Sequence, residues 1–87
     1  MNRSFQRNRL ERIGKRLLRI EMVLKKMAGK PLLKRRAAKL RGGWESLRSE
    51  LRGQDYSGDT IQGSIDNLDA ATRRLRDKLG LGDDDRD

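Results

Sequence analysis

The chain predicts an all-α fold, an antiparallel helical hairpin of coiled-coil type extended by a third helix into an up-down-up three-helix bundle. Three observations carry this expectation. Apolar residues recur at alternating spacings of three and four in three separate stretches. The stretches have nearly equal length, and each is bounded by glycine, proline or small polar residues. No run shows the period of two that a half-buried strand needs.

The first segment is expected over about residues 4–28. Its apolar seam is Leu10, Ile13, Leu17, Ile20, Leu24 and Met27, the stripe of a helix that packs on another helix. Ser4 is suited to cap its start. Gly29 followed by Pro31 stops it, because glycine tolerates the left-handed position after a helix and proline cannot continue one.

The second segment is expected over about 31–52, with Pro31 in the first turn and a seam of Leu33, Ala37, Leu40, Trp44, Leu47 and Leu51. Gly42 and Gly43 lie inside it, at a cost of about 1 kcal/mol each relative to alanine. A polar linker at 53–58 follows. The third segment is expected over about 60–79, opened by Asp59 with Gln62 as a capping-box partner. Its seam is Ile61, Ile65, Leu68, Thr72, Leu75 and Leu79, with Gly80 at the C-terminal stop. These segments make a single domain over 1–82, and the acidic residues 83–87 read as a disordered tail.

The short turn between the first two segments makes them antiparallel neighbours. Facing their seams pairs Leu10 with Leu51, Ile13 with Leu47, Leu17 with Trp44, Ile20 with Leu40, Leu24 with Ala37, and Met27 with Leu33. Each pair of numbers sums to 60 or 61, so one register satisfies all six layers. That register sets Glu21 opposite Arg41 and Arg9 opposite Glu50. It also sets Gly43 opposite Arg16, so the glycine pair either admits the Trp44 indole and the arginine stem or marks a simple local kink.

The two flanks of this hairpin differ. One carries Arg9, Arg12, Arg16, Arg19, Lys26, Arg36 and Lys39, together with Val23 and Leu32 and a single acid, Glu50. The other carries Gly14, Leu18, Ala28 and Ala38 among mixed charges. Small and apolar residues make the second flank the expected dock for the third helix, with Asp66 or Asp69 approaching Arg41 and Arg48. The first flank is then expected to stay in water as a basic face. Met22 has no partner in this arrangement; a lone exposed methionine is the commoner reading, and a contact for a further copy is the other. A core this thin, with Ala37 and Thr72 among its layers, also admits self-association.

Charge points to a partner. Residues 1–52 hold 17 Lys/Arg against 4 Glu, a net of +13, and residues 53–87 hold 5 Lys/Arg against 9 Asp, a net of −4. Arg9, Arg12, Arg16 and Arg19 follow one another at i, i+3, i+7 and i+10, a ridge of about 15 Å at 1.5 Å per residue. Guanidinium forks match phosphate oxygens. With Lys26, Arg36 and Lys39, the ridge reads as a non-enzymatic surface for nucleic-acid backbone, DNA or RNA, without strong sequence preference. The alternative is a protein interaction module docking on an acidic protein surface, as a small inhibitor, an assembly factor or a virion component.

Other classes are disfavoured. The chain has no cysteine and no histidine, so the usual metal ligands and the usual neutral-pH acid–base group are missing. No catalytic residues, cofactor, metal site or small-molecule substrate is expected. Three aromatic residues, Phe5, Trp44 and Tyr56, are too few for a base-stacking platform. The third segment is too acidic at its start for a recognition helix, and the basic residues share turns with the seam rather than preceding it, unlike a leucine-zipper factor. No apolar run spans a membrane or forms a secretory signal. A soluble protein, cytoplasmic or virion-associated, is expected.

Overall fold

A computed structural model describes residues 3–53 and 58–81, with side chains described for 5–53 and 61–81. The helices are α1 (Arg3–Lys26), α2 (Pro31–Arg52) and α3 (Gly58–Lys78), each packed on the other two. The fold is the expected all-α three-helix bundle. The ends move by about two residues: α1 stops at Lys26 rather than Ala28, and α3 starts at Gly58 rather than Thr60.

Backbone chemistry sets the stops. Gly29 adopts φ +76°, which turns the chain out of α1, and Pro31 opens α2 behind Lys30. The carbonyl of Lys30 already accepts the first helical bond, from the Lys34 N–H at 3.0 Å. At the end of α3, Gly80 adopts φ +70°. Its N–H donates to the Asp77 carbonyl at 3.0 Å, while the Leu81 N–H reaches back to the Arg76 carbonyl at 3.2 Å. This is a Schellman closure, and it folds Leu81 onto the core. The expected cap at Asp59 and the expected acidic tail lie outside the described side chains and residues.

The three seams form the core. Leu10, Ile13, Leu17, Leu47, Leu51, Ile61, Ile65 and Leu68 bury together, with Leu40 and Trp44 packed against them. Ile20, Leu24, Ala37 and Leu75 form a second cluster towards the hairpin turn, closed by Met27, Leu33, Leu40, Leu79 and Leu81. Leu10 and Ile13 thus share a cluster with Leu51 and Leu47, and Leu24 with Ala37, as the antiparallel register requires. Helix α3 runs parallel to α1, because Ile61 and Ile65 join Leu10 and Ile13, while Lys78 borders the turn beside Gly29 and Pro31.

The dock of α3 is opposite to the expected one. It covers the Arg9/Arg16 flank and leaves the Gly14/Leu18 flank open. Two groups decide this. Arg16, buried under α3, finds the Asp69 carboxylate at 2.6 Å and the hydroxyl of fully buried Thr72 at 2.9 Å on this flank. On the other flank, the Trp44 indole occupies the space above Gly14: a Cβ on Gly14 would lie 2.7 Å from the ring. The room that Gly43 was expected to provide is therefore provided by Gly14. A Cβ on Gly42 or Gly43 would meet nothing within 4 Å.

Candidate nucleic-acid interface

The expected arginine ridge divides along its length. Residues three apart on a helix are offset by about 60°, whereas residues seven apart are nearly in line. Arg9 and Arg16 therefore face α3 together, while Arg12 and Arg19 face outward. Arg9 pairs with Asp66 at 2.7 Å and lies 3.7 Å from Asp69. Arg16 is buried, with a side-chain exposure of 3 %, and pairs with Asp69 at 2.6 Å. Its Nη1 also donates to Thr72 Oγ1, whose own hydroxyl donates to the Asp69 carbonyl at 3.0 Å.

These contacts correct three expectations. Arg16 is buried in the α1/α3 contact and Arg9 is half-buried at its edge, both paired with α3 carboxylates rather than standing on an open basic face. Asp66 and Asp69 meet Arg9 and Arg16 rather than Arg41 and Arg48. The expected Arg9–Glu50 pair gives way to Arg9–Asp66, and Glu50 borders the α2/α3 groove with Ser64 and Asn67.

The expected Glu21–Arg41 pair is present, and it is bidentate: Nε to Oε2 at 2.9 Å and Nη2 to Oε1 at 2.6 Å. The hydrogen bonds from Arg41 to Glu21 raise the arginine's pKa above its ordinary value. Partial burial opposes them, and the charges of Glu21 and Glu45 add to them. The Arg41 and Arg48 guanidiniums lie 5.0 and 5.2 Å from the Trp44 ring centre, within cation–π range.

Arg12, Arg19, Lys26, Arg36 and Lys39 are all exposed. The last three belong to a larger cationic end of the bundle that the ridge reading missed. Between Glu21 and Glu45 the chain has no acidic residue and eight Lys/Arg. The turn gathers Lys25, Lys26, Lys30, Lys34, Arg35 and Arg36 at one end, every one exposed. Helix α3 adds Lys78, which lines a recess of about 410 Å³ with Lys30, Arg36, Pro31, Leu32 and Leu33. The acid-free interval was visible in the sequence as a signal for this end.

Helix α2 begins at this end with no acid in its first turn and no side-chain cap on Lys30, so its first amides are offered beside the lysines, while the C-terminal carbonyl ends of α1 and α3 at the same end are met by Lys25, Lys26, Arg76 and Lys78. Among the described residues no group of carboxylates can hold a metal ion, and no helix is long and apolar enough to cross a membrane. No family model matches the chain, and no curated protein or solved structure matches it either.

Proposed function

We propose that this protein is a non-enzymatic binder of nucleic-acid backbone, acting through the cationic hairpin end. Lys26, Arg36 and Lys39 contribute from the expected set. Lys30, Lys34, Arg35 and Lys78 join them, and Arg12 and Arg19 extend the surface along α1. The observation that carries the reading is the exposed, acid-free interval between Glu21 and Glu45, folded back on itself by the Gly29–Pro31 turn. Such a surface contacts phosphates rather than base edges, so binding is sequence-tolerant and weakens steeply with salt, because releasing counterions into a more concentrated solution gains less entropy.

The test is an anisotropy titration of labelled duplex DNA and RNA at roughly 50 and 200 mM salt. Lys26→Glu combined with Arg36→Glu is expected to weaken both duplexes at least about tenfold at low salt and to flatten the salt slope by about two. Equal binding by this variant and the parent would refute the assignment of the hairpin end. A second reading, a module that docks on another protein, is favoured by the open apolar flank beside Trp44.

A further inference from the structure

The flank that α3 leaves vacant carries a groove built like the one α3 occupies. On α1, Gly14, Leu18 and Met22 follow at intervals of four and form one stripe; Leu18 and Met22 are 53 % and 54 % exposed. Trp44 walls the stripe on the α2 side, in a recess of about 360 Å³ that Lys15 and Arg48 also line. A second recess of about 310 Å³ shares Glu11, Trp44 and Arg48 and runs on to Arg7 and Arg52. Together they follow α1 from Arg7 to Leu18, about 16 Å or three helical turns, and Met22 continues the exposed stripe one turn further.

The floor is held in place. The Trp44 Nε1–H donates to the Leu10 carbonyl at 2.6 Å, and two guanidiniums flank the indole. The rim is cationic: Arg7, Lys15, Arg48 and Arg52 stand against Glu11, and Glu21 is already neutralised by Arg41. The same hairpin shows on its other flank what such a surface accepts. There an amphipathic helix, α3, lays an apolar seam in the groove and sets Asp66 and Asp69 against Arg9 and Arg16.

We propose that the Leu18–Met22–Trp44 groove docks an amphipathic helix of a partner protein whose apolar stripe is flanked by acidic residues. A second copy of this chain is disfavoured, because joining two such grooves sets Lys15 and Arg48 against like charges. Nucleic acid is disfavoured here because the groove floor is apolar. The site is separate from the cationic hairpin end, so the protein offers one surface to phosphate and another to a helix.

The test uses the full chain against a display library of helical peptides of about 18 residues, with a fixed leucine stripe and flanks randomised over Glu, Lys, Gln and Ser. Selection is expected to enrich Glu flanks. The enriched peptides are expected to shift Trp44 emission and to lose at least about tenfold in affinity on Leu18→Asp with Met22→Asp. Both residues are exposed, so this variant is expected to keep the parent's circular dichroism, and the uncharged pair Leu18→Ser with Met22→Ser is expected to weaken the peptide while keeping the duplex affinity. Neutral or basic flanks, no enrichment, or undiminished binding to the variant would overturn the proposal. So would a chain dimer that Leu18→Asp dissolves, or displacement of the peptide by duplex DNA.

Discussion

The indole of Trp44 lies over Gly14, so close that no side chain fits between them: an added Cβ would stand 2.7 and 2.9 Å from two ring carbons. The same approach lets Nε1 donate to the carbonyl of Leu10, one turn earlier on α1, using the second lone pair that a helical carbonyl keeps. This single contact fixes the α1/α2 spacing on the open flank and shapes the groove beside it.

Gly14→Ala is therefore expected to destabilise the fold by about 1–3 kcal/mol, the usual cost of overpacking, although alanine is the better helix former. Trp44 emission should shift to the red as the ring is displaced. Gly42→Ala makes the contrast. Nothing lies within 4 Å of its Cβ position, so that change should stabilise by about 1 kcal/mol through helix propensity alone. Thermal melts of the two variants check the pair. Equal effects would mean that the indole does not depend on Gly14.

Asp69 is expected to matter more than the arginine it serves. Asp69→Ala strands Arg16, whose side chain is 3 % exposed, at a cost of about 3–5 kcal/mol for a buried charge without its partner. Arg16→Met removes the charge and keeps a stem to fill the space. It leaves Asp69 21 % exposed, with Arg9 at 3.7 Å and Arg73 at 3.4 Å, so less than half that loss is expected. Urea unfolding of both variants measures the order. A larger loss for Arg16→Met would show that Asp69 is not what holds α3 to this flank.

Duplex binding is expected to be flat between about pH 6 and pH 9. The chain has no histidine, and lysine and arginine lose their charge only at about pH 10 and above. The hydrogen bonds to Glu21 hold the folded pKa of Arg41 above its unfolded value. Its pairing contribution is fully present below that value and is lost only as pH rises through the higher folded one, far above the window. Anisotropy at a fixed salt concentration across the range checks this. A step near neutrality without unfolding would show that some other group controls binding.

Much of the fold is legible in the chain because two rules of helix geometry are local. A seam at alternating three and four spacing must face another helix, and a short turn must reverse the next helix beside the first. From these come the three helices, their core residues, the antiparallel register and the Glu21–Arg41 pair. Gly29, Pro31 and Gly80 mark the stops for equally local reasons of backbone conformation.

Which flank of the hairpin receives α3 is not a local matter. A heptad pattern names the stripe that is buried and leaves the hand of the third helix open, and small residues at Gly14, Ala28 and Ala38 favoured one side. Only packing in three dimensions shows that Trp44 fills that side at Gly14, and that the Arg16 guanidinium meets Asp69 and Thr72 on the other. Desolvated polar groups must be paired wherever they lie. Docking α3 where the Arg16 guanidinium meets Asp69 and Thr72 takes Arg9 and Arg16 out of the expected basic face and leaves an apolar groove open on the far side.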